Sequence, residues 1–437
     1  MSTRKTAATA FCLLLSTAAQ AAPSWVASWT ASAQGPYPVG NPTAQPELKF
    51  ALPSAETGAV DQTFRLIVRP DVWGHSARIR LSNAFGTTPV TFDGAHVGLQ
   101  NTGAVLVPGS NRSVTFAGQS QVTVAPGQSA VSDPVALPFV TDPSDPMLAN
   151  RKLAVSFHVA GESGKLTWHA KALTTSYLSG PHTGSVGGSD NETAFPYSTT
   201  SWYFLDEVDM DAPGTQTVVA FGDSITDGTA STLNGDDRWP DVFSRRVHAA
   251  YGSRYSVVNE GIGGNMVSGP SDYAQTPFAG GVSALDRLER DVLSLPAVST
   301  VLFLDGINDF GNGGYDVSKV TEGLRSFVTR LRAQKPGVRI FVGLLTPSVN
   351  STNGGYGAPA IEKKRLEYND FIRSAGIFDG VIDFDAATRD AVTGELKAAF
   401  QPNSTTGGAG DRLHPNRAGY AAMGSVIDLS AVFGIAK

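Results

Sequence analysis

Four short segments of the sequence combine side chains that can do chemistry. Gly222-Asp223-Ser224-Ile225-Thr226-Asp227-Gly228 follows an apolar run, Val218 to Phe221, so a serine reaches the carboxyl edge of an expected strand where a helix can begin. Backbone N–H groups at such a point lack intrahelical partners and can stabilise an anion. The same residues would also serve as a plain helix cap between glycine turns. Asn259-Glu260-Gly261-Ile262-Gly263-Gly264-Asn265 is a glycine-rich turn whose N–H groups can approach a ligand unobstructed, or simply a tight turn. A phosphate cradle is disfavoured, because no Walker-type GxxxxGK(S/T) is present and GxGxxG does not follow the first expected strand. Asp305-Gly306-Ile307-Asn308-Asp309 brings a side-chain amide to a strand end, where it can donate to a developing oxyanion or merely close a turn. Asp411-Arg412-Leu413-His414-Pro415-Asn416 sets a carboxylate three residues before a histidine, ahead of a last expected helix. A neutral imidazole there can take a serine proton and return it to a leaving alcohol, while the carboxylate fixes its tautomer. Taken alone, the pair also reads as a helix start with an incidental histidine.

The elements that must position these segments are legible in the periodicity. After Ala212-Pro213-Gly214, β-branched runs at Thr217 to Phe221, Tyr255 to Asn259, Thr300 to Asp305, Arg339 to Leu345 and Val381 to Phe384 read as strands. Helical periods lie between them at Trp239 to Ala250, Gly281 to Leu293, Val317 to Ala333 and Ala360 to Arg373, with a last helix from Asn416. Alternating strands and helices predict an α/β fold with a five-stranded parallel sheet covered on both faces, whose ligands sit at the carboxyl ends of the strands. Each of the four segments falls at or near that edge.

From Trp25 to about Asp211 the texture is different. Short alternating runs such as Phe64 to Arg69, Ala77 to Leu81, Ser113 to Phe116, Gln121 to Val124 and Leu153 to Val159 are separated by Gly, Pro and Asn. This predicts an all-β antiparallel sandwich with no long helix. Trp73, Trp168 and Trp202 are read as core residues, with sugar stacking the alternative; Arg65, Arg69, Arg78 and Arg80 are read as solvated faces or pairs between the two halves.

Taken in order, the four segments resemble the SGNH (GDSL-like) serine hydrolases, with Gly222-Asp223-Ser224-Ile225 as the first block, Asn259 and Gly264 the second, Gly306-Ile307-Asn308-Asp309 the third and Asp411-Arg412-Leu413-His414 the last. The resemblance covers about Pro213 to Lys437 and implies a flavodoxin-like three-layer hydrolase domain. It implies Ser224 as nucleophile, His414 as general base and acid, and Asp411 as its orienter. The oxyanion hole it implies comes from the N–H groups of Ser224 and Gly264 and the Asn308 side chain, with Gly263 the alternative glycine. The first half is similar to the front domain of a two-domain secreted subset, through Trp25 to Trp29, Arg78 to Gly86 and Thr175 to Tyr177. The organisation expected is residues 1–21 a signal, 22–212 the sandwich and 213–437 the hydrolase. No cofactor and no metal are required.

Composition bounds the remaining function classes. Arg4 and Lys5, an apolar stretch from Ala7 to Leu15 and Ala19-Gln20-Ala21 have the layout of a cleavable secretory signal, so the mature chain is expected to be secreted. The single cysteine, Cys12, lies inside that stretch, which leaves no disulfide or thiolate metal site. The formal net charge is −6, becomes −8 once Arg4 and Lys5 are removed, and no basic run is present, so a nucleic-acid partner is disfavoured. No later segment is apolar enough to span a membrane. The expected partner is a small-molecule or polysaccharide ester carrying short acyl groups. A lipase or lysophospholipase, and a non-catalytic carbohydrate-binding protein, are the competing readings. The loop Met266 to Gly280, with Tyr273 and Phe278, is expected to shape the pocket.

Overall fold

The structure, a computed structural model, describes residues 24–269 and 279–434. The expected signal, Cys12, Tyr273 and Phe278 lie outside the described residues. In the first half, Val60–Val68 pairs antiparallel with Leu153–Glu162, which pairs in turn with Val90–Thr102. A second sheet runs in the order Trp25–Thr30, Leu205–Asp211, Ser76–Ser82, Val135–Ala136. Inward-facing Phe64, Phe92, Phe157 and Phe204 fill one apolar core, with Phe64 and Phe157 stacked at 5.5 Å. Of the run expected at Ser113 to Phe116, Ser113 lies in the short strand Arg112–Ser113, Val114 N–H still donates to the Ala95 carbonyl, and Phe116 bridges Gln119 across a turn with Ala117 at φ 49°. Among the described residues, the one helical turn before Asp211 is Pro146–Leu148.

Burial bears out one expectation in this region, the tryptophans as core, and corrects another. Trp73, Trp168 and Trp202 are each at most 5% exposed and donate their indole N–H to the carbonyls of Leu148, Val39 and Ile67, so no ring face is open to a sugar. Arg65 is not on a solvated face: it is fully buried and donates to the Ser156 hydroxyl and to the carbonyls of Ala104, Gly187, Ser189 and Asn191. Those loops turn carbonyls inward, and a guanidinium with five donors can satisfy several at once. Arg69 pairs across the two halves, with Asp241 at 2.6 Å, whereas Arg80 pairs with Asp206 and Glu207 within the sandwich and crosses through a hydrogen bond to the Ser294 hydroxyl at 3.0 Å. Arg78 pairs within the sandwich, with Asp209.

The second half forms a five-stranded parallel sheet. Its strands are Gln216–Gly222, Tyr255–Gly261, Val298–Leu304, Arg339–Gly343 and Gly380–Ile382, in the spatial order second, first, third, fourth, fifth. Thr217 to Gly222 are all buried, as expected of a central strand covered on both faces. Phe327, on the helix Val317–Gln334, packs on Phe221 and Phe303 at 5.3 and 4.8 Å. Helices Trp239–Tyr251, Pro359–Ser374 and Arg417–Val426 begin and end close to where periodicity put them. The helix expected at Gly281 to Leu293 starts later, at Ala284, where the Ser283 side chain accepts from Asp286 N–H, and after Leu288 it widens into a looser helical turn, Glu289–Leu293.

Register is what assembles the site. Gly222 lies beside both Gly261 and Leu304, so the first, second and third strands release their loops at one edge, where the strand order reverses. The second strand is itself an edge strand, and the β-rich region covers it. Val257 N–H donates to Asp71 at 2.6 Å, the Ser256 hydroxyl donates to the Ala27 carbonyl at 2.7 Å, and Ala27 joins the core of the second half. Covering an unpaired strand edge removes a template for aggregation.

Candidate active site

Gly222 is crossed so closely by the third strand that a Cβ there would lie 2.1 Å from the Leu304 carbonyl oxygen. That close approach lets the chain turn directly into the short helix Ser224–Asp227. Asp223, not Ser224, caps this helix, its carboxylate accepting from Ile225 N–H at 2.9 Å. The Ser224 hydroxyl is thereby left for another partner, His414 Nε2, at 2.8 Å. On its other side His414 Nδ1 lies 2.6 Å from Asp411 Oδ2. The Asp-x-x-His turn closes on itself, because Asp411 Oδ1 also accepts from the N–H groups of Leu413 and His414, at 3.0 and 2.9 Å, with Arg412 at φ 60°. Burial alone would raise the Asp411 carboxyl, but the imidazole and these N–H groups hold it well below the usual carboxylate range. An ionised Asp411 keeps the proton on Nδ1 and leaves Nε2 to accept one.

Around the Ser224 hydroxyl, the N–H groups of Ser224 and Gly264 have no acceptor among the described residues. Gly263, the alternative glycine, is already committed: its N–H donates to Asp227 Oδ2 at 2.9 Å. Gly264 sits at φ 88°, a conformation that glycine adopts without strain. Asn308 Nδ2 donates one hydrogen to the Asn265 carbonyl at 2.8 Å, and Oδ1 accepts from the Tyr356 hydroxyl at 2.5 Å. This fixes which amide atom is which and leaves the second N–H of Asn308 for a ligand. Ser224, Gly264, Asn308 and His414 line one cleft of about 110 Å³, with Asp411 behind His414.

The four motifs thus converge on one edge of a doubly covered parallel sheet. Residues 220–422 match the model of the GDSL-like lipase/acylhydrolase family. This segment forms a GDSL-like acylhydrolase domain. Among solved structures, the chain is similar to a carbohydrate acetylesterase family member from Sinorhizobium meliloti, at 18% identity over 51% of this chain and 100% of that one, with a TM-score of 0.39. It is similar to the aryl esterase of M. smegmatis at 16% identity, covering 48% of this chain and 95% of that one, with a TM-score of 0.36. A GDSL-like lipase from Bacteroides thetaiotaomicron is 18% identical over 50% of this chain and 89% of its own, with a TM-score of 0.36. No curated protein matches the chain.

Several residues that sequence reasoning missed hold the GDSL-like domain's site in shape. Arg287, fully buried and stacked on Phe221, donates to the Gly222 and Glu260 carbonyls, to Asn265 Oδ1 and to Asp291. It ties together the ends of the first two strands. From the β-rich region, Gln34 Nε2 donates to the Gly263 carbonyl at 3.4 Å and to that of Ala279. His169 Nε2 lies 3.2 Å from Asp227 Oδ1, the carboxylate that also holds Gly263. The available signal for Arg287 was an arginine four residues before Asp291 on an amphipathic segment; Gln34 and His169 had none, because their partners are distant in sequence.

A larger cavity, about 390 Å³, lies between Trp73, Leu148 and the helix Trp239–Tyr251. It contains Ser244, Asp71 and His248, but these are wired differently. Both Ser244 and His248 bond to Asp71, and His248 Nδ1 bonds to the Gly252 carbonyl, so the imidazole has no contact through which to take the serine proton.

Proposed function

We propose that the chain is a secreted serine esterase that hydrolyses short acyl esters through an acyl-serine intermediate. The observation that carries this reading is the continuous relay from the Ser224 hydroxyl through His414 to Asp411, at 2.8 and 2.6 Å. As the Ser224 Oγ attacks the ester carbonyl carbon, its proton moves to His414 Nε2. The carbonyl oxygen becomes an oxyanion, received by the N–H groups of Ser224 and Gly264 and the free N–H of Asn308. Collapse breaks the bond to the alcohol, which leaves with the proton from Nε2 and leaves Ser224 acylated. Water then attacks, giving its proton to Nε2, and the second oxyanion collapses to release the acid and restore Ser224. Activity falls on acidification, because only a neutral imidazole can accept the proton.

The size and chemistry of the cleft favour short acyl groups on a polar alcohol. Its described lining includes Asn41, Asn312, Asn353 and Tyr356, with Leu413 the one aliphatic side chain, and about 110 Å³ suits an acetyl-sized group better than a long hydrocarbon chain. The relatives described as acetylesterase and aryl esterase agree with ester hydrolysis. Secretion rests on the pattern of residues 1–21.

The test is hydrolysis of p-nitrophenyl esters from acetate to laurate by wild type and Ser224→Ala. We expect highest kcat/KM on the shortest esters and a loss of about 10⁴ or more in Ser224→Ala. A fully active variant would remove Ser224 from its role, and a laurate optimum would favour the lipase reading.

A further inference from the structure

The cleft above Ser224 has walls of two origins. Ser224, Asn308 and His414 come from the GDSL-like domain, whereas Asn41 and Lys171 come from the β-rich region. Lys171 is 5% exposed. Its ammonium has three hydrogens to donate, and one goes to the Thr229 hydroxyl at 2.5 Å. Among the described residues it forms no ion pair within 4.0 Å. Asp227, whose charge pulls most on the ammonium, contacts His169 through one oxygen and Gly263 N–H through the other. Gly263 makes room for the ammonium, since a Cβ there would lie 3.0 Å from Lys171 Nζ. Burial pushes the Lys171 ammonium below its ordinary value, against the pull of Asp227 and Asp411.

A buried ammonium with donors left over at the wall of a cleft must give them to water or to the occupant. An occupant that expels the water without supplying an oxygen strands those donors, which is strongly unfavourable. We propose that Lys171 is a specificity-determining residue, donating to a hydroxyl or carboxylate oxygen beside the scissile ester. The β-rich region thereby selects oxygen-rich alcohols over hydrocarbon ones. This rests on the esterase reading above and names the residue that would read its polar alcohol.

The experiment compares kcat/KM for the mono-O-acetates of methyl xyloside, which present hydroxyls around the ring, with cyclohexyl acetate, which presents none. Wild type is expected to favour at least one sugar acetate, and the sugar-to-cyclohexyl ratio is expected to fall about 10- to 100-fold in Lys171→Met, with Lys171→Arg retaining part of it. An equal ratio in wild type and Lys171→Met overturns the proposal, whatever the absolute rates. If Lys171→Met does not fold, the deoxy analogues of the preferred acetate decide with wild type alone. One deoxy position should cost about tenfold or more, and uniform kcat/KM across the series overturns the proposal. Wild type inactive on all these esters and on p-nitrophenyl acetate would instead defeat the esterase reading, and this proposal with it.

Discussion

Asn308 is held from two sides before any ligand arrives. The Tyr356 hydroxyl occupies its carbonyl oxygen and the Asn265 carbonyl takes one of its hydrogens, so the remaining N–H is aimed by the protein rather than by the substrate. Donors that need no reorganisation are worth most when charge develops on the substrate oxygen. We expect Asn308→Ala to lower kcat by about 10²–10³ with a smaller change in KM, measured on p-nitrophenyl acetate. Tyr356→Phe, which frees the amide without removing it, should lose less. An Asn308→Ala variant that alters KM alone would mean the amide binds the ground state instead. This much was legible in the sequence, because Gly306-Ile307-Asn308-Asp309 is a local motif. Tyr356 was not, because a tyrosine in a glycine-rich loop carries no pattern until the fold sets it beside Asn308.

Strands and helices in the second half announce themselves through period, and their observed bounds lie close to those read from sequence. Where the bounds differ, the difference is local: Ser283 caps a later helix start, and the chain turns at Ala117, φ 49°, just after Phe116. The contacts between the β-rich region and the loop carrying Gly263 and Gly264 were beyond reach for a different reason. Gln34 and Gly263 are separated by 229 positions, and hydropathy patterns report only which side of an element is buried, not what covers it. Gln34 anchors the carbonyl of the peptide unit whose other end is the Gly264 N–H. Its own Oε1 is fixed by Ala170 N–H at 3.2 Å. If the Gly264 N–H receives the oxyanion, removing that anchor is expected to let this peptide tilt. Gln34→Ala should therefore lower kcat by up to about 10²-fold with KM less affected, in steady-state kinetics on p-nitrophenyl acetate. An unchanged kcat would show that the loop holds its shape without the β-rich region.

At the scale of the whole molecule, the two halves are joined through buried polar groups, and that leaves a signature in stability against pH. Burial pushes the Asp223 and Asp309 carboxyls up to about 7, and the Glu260 carboxyl up to about 8. Each binds more protons in the folded than in the unfolded chain between its ordinary value and its raised one, so each costs stability as pH rises through that interval. His248 acts in the same direction: although burial opposes its charge, Asp71 carries it up to about 9, and its contribution is complete below its unfolded value and lost as pH rises through about 9. Asp71, Asp227 and Asp411, held below the usual range, lose their contributions only at lower pH. Between roughly pH 5 and pH 8 the Tm is therefore expected to fall, and Asp223→Asn, which keeps the helix cap but cannot ionise, should reduce the slope. Thermal melts across that range check this. A Tm that rises with pH, or an equal slope in the variant, would contradict it.

If the proposed esterase reading holds, Ser224 is the activated nucleophile of a single site. The most direct measurement is intact-mass and peptide mapping of the protein after reaction with a fluorophosphonate, which phosphonylates a serine only where a base activates it and an oxyanion hole receives the charge. One adduct per chain is expected, on Ser224, and none in His414→Ala. Stoichiometric labelling of Ser244 or another residue, or no labelling of a folded protein, would contradict it.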